Sequence, residues 1–132
     1  MAMTVADTDV LIDFLSNRAP GADRIAQELE RGQLATTAIN RFELLAGVRT
    51  RRQEKAVHDL LAALLTLPLD QAAADEAAEI RRTLDLAGAS IGMGDSLIAG
   101  VVRFHDAELV TRNRRHFDRV RGLKLSLVAP AP

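Results

Sequence analysis

The sequence predicts an α/β fold: a three-layer α/β/α sandwich with a five-stranded parallel sheet, in a single domain over residues 1–132. Three observations lead there. Short apolar runs that read as strands alternate with longer stretches of helical periodicity, and strands separated by helices pair in parallel. The first run, residues 3–6, is a short apolar entry of the kind that reads as a buried parallel strand. With 132 residues and 48% hydrophobic composition, the chain has apolar surface for one core and no linker, repeat or low-complexity tract to divide it.

Residues 3–6 form the opening strand. Asp7 and Asp9 stand where it stops, and Val10, Leu11 and Phe14 then recur at helical spacing, which predicts a helix over Thr8–Leu15. Residues 16–21 read as loop. Ile25, Ala26 and Leu29 share one face of a helix over residues 22–31, and Gly32 ends it. A short strand at residues 34–36 leads to Thr37, which can cap a helix over Ala38–Ala46 stopped by Gly47. Its apolar positions are Ile39, Phe42, Leu45 and Ala46. Val57, Leu60, Leu61, Leu64 and Leu65 mark an amphipathic helix over residues 54–65, and residues 67–69 give a third, very short strand. Asp70 caps an alanine-rich helix over residues 71–87, closed by Gly88. Gly92, Met93 and Gly94 read as a flexible approach to Asp95. The helix that follows, residues 96–104, is apolar almost all round and is expected to be buried. Glu108–Thr111 and residues 123–128 complete the sheet, and residues 129–132 read as a loose tail.

Composition narrows the function. No cysteine means no disulfide framework and no thiolate site, and fits a reducing compartment. The longest apolar run, residues 60–69, is about half of the ~20 residues a membrane span needs. Asp7, Asp9 and Asp13 occupy the place of a signal peptide's apolar core, so a cytoplasmic location is expected. The net charge of −1 gives no global attraction for nucleic acid. Arginines are nonetheless clustered: Arg112, Arg114, Arg115, Arg119 and Arg121 in one stretch, Arg49, Arg51 and Arg52 in another. The three histidines read as surface residues, and the methionines and four phenylalanines as core or terminus. No P-loop, G-x-G-x-x-G or G-x-S-x-G element is present, which argues against nucleotide binding through such motifs and against esterase chemistry.

The chemistry is expected among three acids in awkward places. Asp7 ends a strand at the mouth of a helix, where open α/β sheets place ligands. Glu43 lies inside the apolar F-E-L-L-A-G segment, and Asp95 opens the most apolar helix. Each alone has an ordinary explanation, as a helix cap or a solvated face. Gathered in one cleft they would repel one another and lose hydration unless a cation neutralised them. An all-oxygen set without H-E-x-x-H spacing suits Mg²⁺, with Mn²⁺ as substitute, rather than zinc. Such a site activates water against a phosphodiester. Thr111 and Asn113 are expected to point toward it, with Arg112, Arg114 and Arg115 around it to hold flanking phosphates.

These residues resemble a known family. D-T-D-V-L-I-D, T-A-I-N-R-F-E-L-L-A-G, G-D-S-L-I-A-G and L-V-T-R-N-R-R-H-F look like the ordered motifs of PIN-domain ribonucleases, and the layout is most similar to VapC-type toxins. The resemblance covers Thr4 to about Val128. It implies a five-stranded parallel sheet and a Mg²⁺-dependent endoribonuclease toxin. Asp7 and Asp95 would be metal ligands, and Glu43 would bind metal or orient water. Thr8 and Asp9 match small polar positions beside the first acid, with Thr8 grouped among the substrate contacts. Asn113 falls where many members carry a fourth acid and others Asn, and would hold water or metal; His116 falls where an Asp often precedes the Phe. A homodimer and a VapB-like antitoxin covering the cleft are further implications, with no membrane partner. Two other readings stand beside it: a PIN-like module that binds RNA or a partner without turnover, and a haloacid-dehalogenase-class phosphatase using Asp7-Thr8-Asp9.

Overall fold

The computed structural model describes residues 3–132. Five strands, β1 (Thr4–Ala6), β2 (Leu34–Thr37), β3 (Leu65–Leu67), β4 (Glu108–Thr111) and β5 (Lys124–Leu127), lie all parallel in the order β3-β2-β1-β4-β5. From the central β1 the chain fills one side of the sheet and then crosses to the other. Strand order therefore reverses between β1 and β4, the place where such sheets open a crevice beyond their carboxyl ends. Register pairs Ala6 with Val110, so Asp7 and Thr111 stand side by side at that crevice.

Among the described residues seven helices cover the sheet: α1 (Thr8–Leu15), α2 (Gly21–Arg31), α3 (Ala38–Ala46), α4 (Arg51–Ala62), α5 (Gln71–Leu86), α6 (Met93–Phe104) and α7 (Arg114–Phe117). Successive strand residues face opposite ways, and the core divides accordingly. Val5, Ala35 and Leu109 join Ile80, Ile98, Val101 and Phe117 in one cluster, while Ala6, Leu34 and Val110 join Leu11, Ile25, Leu60 and Leu61 in the other. The expected sandwich is thus observed. Helix α6 is buried along most of its length, and each fully buried Val or Ile stabilises by about 1.5–3 kcal/mol. It approaches α5 closely because residue 100 is Gly: a Cβ there would lie 2.5 Å from the Ala77 Cβ.

Several boundaries differ from expectation, each for a local reason. Helix α4 starts at Arg51, three residues early, because Thr50 and Gln53 form a reciprocal capping box. The helix consequently ends at Ala62, and β3 takes Leu65–Leu67 rather than residues 67–69. Pro68, which has no N–H for the ladder, terminates that strand. Helix α6 starts at Met93 with Gly92 at its cap, so Gly92 to Gly94 is not a flexible approach and Asp95 lies inside the first turn. Residues 114–117, read only as an arginine-rich run, form a single helical turn. The aromatic reading also needs correction: Phe117 is buried, but Phe42, Phe104 and Met93 are exposed.

Candidate active site

Asp7 anchors the site. It follows β1 and caps α1, its Oδ1 accepting the Thr8 N–H at 2.8 Å. The same oxygen accepts from Asn40 Nδ2 at 2.9 Å, and Oδ2 accepts from the Thr111 hydroxyl at 2.7 Å. Only 6% of the residue is exposed. Burial, and next the Asp9 charge, push its pKa from 3.8 to about 6, against the pull of those hydrogen bonds. Asn40 reaches Asp7 because the start of α3 holds it. Thr37 accepts the Asn40 N–H at 3.2 Å and donates its hydroxyl to Asn40 Oδ1 at 2.7 Å, leaving the amide NH₂ to face the acid.

The other acids are tied to Asp7 through polar intermediaries. Asn40 also donates to Thr8 Oγ1 at 2.9 Å, and that hydroxyl donates to Glu43 Oε1 at 2.5 Å. Glu43 is otherwise exposed, and its Oε2 lies near Gly94, where a Cβ would be 3.9 Å away. That contact brings α3 against the start of α6. Since Gly92 occupies the cap, the Asp95 carboxylate is not used for capping. Its Oδ2 lies 2.6 Å from His116 Nδ1, which is 2.8 Å from Asn113 Nδ2. The Asn113 N–H in turn donates to Thr111 Oγ1 at 3.0 Å. One hydrogen-bonded chain therefore runs Glu43–Thr8–Asn40–Asp7–Thr111–Asn113–His116–Asp95.

Among the residues expected to grip substrate, the structure separates two kinds. Thr111 is fully buried and is occupied by Asp7 and by Asp9 Oδ2 at 3.2 Å. The Arg112 guanidinium is bound to Asp13 through Nε at 2.7 Å and Nη2 at 3.3 Å, and the Arg112 backbone N–H donates to Asp9 Oδ2 at 3.0 Å. Asp13 is 2% exposed, and Gly21 passes so close that any Cβ would collide with its carboxylate. Neither Thr111 nor Arg112 is presented to a ligand. They fasten the segment after β4 to α1, where the guanidinium neutralises a carboxylate that water does not reach. Thr8 is half-buried and committed to Glu43. Arg114 and Arg115, by contrast, are exposed at the rim on α7, with Arg114 only 3.7 Å from Asp118.

Sequence reasoning passed over Asn40 and Asp13 and read His116 as a surface residue. Asn40 carried a signal in the T-x-x-N spacing of a capping box. Asp13 is the second acid of an i, i+4 pair with Asp9 on an otherwise apolar helix. Nothing in one sequence pairs it with Arg112, ninety-nine positions away.

Whether these residues suit a divalent ion can be judged from the donor set. Among the described residues no three carboxylate or imidazole side chains stand close enough to enclose one ion. Mg²⁺ does not require enclosure: it keeps several waters and is held by one or two carboxylates with substrate phosphate. Asp7, held partly protonated by burial, and Asp9, whose Oδ1 is buried without a partner and whose pKa burial also raises, are carboxylates that a nearby cation would relieve. The residues fit such an ion.

The PIN domain model matches residues 4–123. The chain belongs to the PIN domain family. This PIN chain is 31% identical over 128 residues to Ribonuclease VapC10 of Mycobacterium tuberculosis, an alignment covering 97% of it and 96% of the relative. It is 29% identical to the tRNA(fMet)-specific endonuclease VapC of Shigella flexneri, with 94% and 96% covered. Its fold matches DNA-bound VapBC from Salmonella typhimurium with a TM-score of 0.83 at 24% identity, covering 96% and 98%. VapBC-1 from nontypeable Haemophilus influenzae matches at 0.80 and 25%, covering 95% and 97%. The VapC-type PIN membership and the five-stranded sheet expected from the sequence motifs are the ones found. No helix of the described residues is long and apolar enough to cross a membrane.

Proposed function

We propose that this PIN protein is the toxin of a type II toxin–antitoxin pair, a divalent-metal-dependent endoribonuclease that hydrolyses RNA phosphodiester bonds. The observation that carries the reading is Asp7: a buried carboxylate at the strand-order reversal, linked to Glu43 and Asp95 by one hydrogen-bonded chain. The relatives named as VapC ribonucleases support it.

Asp7 and Asp95 would hold Mg²⁺, with Mn²⁺ as substitute; when bound, the ion supplies an activated water and steadies charge on the phosphate. Glu43 adds a carboxylate on the exposed side, able to bind metal or to orient the attacking water, and the Thr8 hydroxyl fixes its direction. Asn40 and Thr111 hold the two oxygens of Asp7 so that the carboxylate cannot rotate away. Asn113 lines the outer part of the site. Arg114 and Arg115 are placed to take flanking phosphates, where arginine's planar fork suits phosphate oxygens. A VapB-like antitoxin would silence the cleft, the toxin would pair with a second copy of itself, and both would act in the cytoplasm. The phosphatase reading loses ground to the PIN match. The chain's two lysines also stand elsewhere: Lys55 binds Asp59 and Lys124 binds Asp106.

The test is incubation of purified protein with total RNA and Mg²⁺, followed by sequencing of the new ends. Cleavage at defined positions that stops with EDTA and in Asp95→Asn is expected. Tight RNA binding without turnover, even in Mn²⁺, would establish the non-catalytic module instead.

A further inference from the structure

Positive charge is concentrated where the chain leaves the cleft. Residues 114–124 hold five cations against the single acid Asp118, a net charge of +4 in a chain whose total is −1. Lys124 is taken by Asp106, and Arg114 lies against Asp118. Arg115, Arg119 and Arg121 are exposed and have no ion-pair partner among the described residues. Like charges gathered so closely repel one another and oppose the compact state, so stability does not account for the cluster.

The segment that carries these arginines is held in place. Phe117 is fully buried and Val120 nearly so, both in the core cluster that contains Ile98 and Val101 of α6. The Arg103 guanidinium, itself neutralised by Glu76 and Glu79, donates to the Arg121 carbonyl at 2.9 Å. The segment leaves β4 at Thr111, beside Asn113 at the cleft, and enters β5 at Lys124, which pairs with Glu108 at the other edge of the sheet. Arg115, Arg119 and Arg121 therefore follow one another along a ledge that descends from the active site toward the amino ends of the strands.

We infer that a single RNA strand leaving the cleft runs down this ledge, with Arg119 and Arg121 holding phosphates beyond those that reach Arg114 and Arg115. This rests on the ribonuclease reading and adds a second part to its substrate site. Guanidinium groups suit phosphate oxygens, and a backbone already fixed by Phe117 and Val120 spares the cost of ordering a loop on binding. Contacts of this kind read the sugar–phosphate chain and not the bases. The ledge therefore favours longer strands over short ones, whatever their sequence.

Fluorescence anisotropy with single-stranded oligoribonucleotides of increasing length tests it, on the purified full chain in EDTA across a salt series, with cleavage scored separately in Mg²⁺. For the wild type the log–log salt slope should steepen with strand length until the ledge is filled. Arg119→Ala/Arg121→Ala should lower the slope on long strands by about 1.4, at ~0.7 for each single-strand phosphate no longer neutralised. Strands too short to leave the cleft should show no such change. Arg119→Lys/Arg121→Lys keeps both charges and should restore the slope. Arg51→Ala/Arg52→Ala removes the same charge from α4, which packs on the opposite face of the sheet. An equal fall in that variant would reveal an undirected attraction and overturn the ledge. So would an equal fall on short and long strands, or none in Arg119→Ala/Arg121→Ala. Length-dependent binding by a protein that cuts no RNA would uphold the ledge and refute the nuclease reading alone; cleavage in Mg²⁺ without any effect of Arg119 and Arg121 would do the reverse.

Discussion

Replacing Asp7 by Asn should abolish cleavage and at the same time make the protein more stable. The side chain keeps its shape. Its Oδ1 still accepts from Thr8 and Asn40, and the new NH₂ donates to Thr111 Oγ1, whose own hydrogen then serves Asp9 alone. What disappears is a buried charge beside another acid. The wild-type carboxyl is raised from 3.8 to about 6, so folding favours its neutral form. That contribution to stability is fully present below pH 3.8 and is lost as pH rises through about 6, because the folded state binds more protons than the unfolded state across that window. At ~1.4 kcal/mol per pH unit, the loss at pH 7 is about 3 kcal/mol. Asp7→Asn escapes it, and for a chain of this length the gain raises Tm by roughly 10 °C. Urea denaturation followed by circular dichroism, in EDTA from pH 3.5 to 7.5, measures it. The two proteins should match at the acid end and diverge above pH 4. An Asp7→Asn protein less stable than wild type at pH 7 would refute the account of Asp7 as a strained, functional charge.

Other outcomes follow from the packing around the site. Arg112→Ala leaves the buried Asp13 unpaired and should destabilise by about 3–5 kcal/mol, with kcat falling more than RNA affinity, in denaturation and steady-state assays. Arg114→Ala and Arg115→Ala should leave stability unchanged and weaken RNA binding across sequences. Each should also reduce the salt dependence by about 0.7 in log–log slope for every single-strand phosphate it no longer neutralises. Gly100→Ala forces α5 and α6 apart and should cost about 1–3 kcal/mol of stability, seen as a lower Tm, without altering the metal dependence of any activity. Millimolar Mg²⁺ should raise the Tm of the wild type and leave that of Asp7→Asn unmoved, since only an intact ion site couples metal to folding.

How far the sequence disclosed this molecule depended on the range of the interactions. Local signals were legible: Thr37, Asp70, Gly32 and Gly47 marked helix ends where the structure has them, and the alternation of strands and helices gave a parallel sheet. Misplaced boundaries came from caps that overrode apolar periodicity, as Thr50 and Gln53 did by starting α4 early and so shifting β3. The three acids were singled out because each stands where an acid is awkward. The network that joins them was hidden, because Asn40, Thr111 and His116 meet them only through the fold. Arg112 shows the reverse error: its place among arginines suggested a phosphate contact, whereas a buried Asp13 holds it.

The most direct test of the central claim is the position of a divalent ion in crystals of the protein soaked in Mn²⁺ and measured at the manganese absorption edge. An anomalous peak within coordination distance of carboxylate oxygens of both Asp7 and Asp95 is expected. A fully ordered cleft with no peak between those two residues would contradict the account.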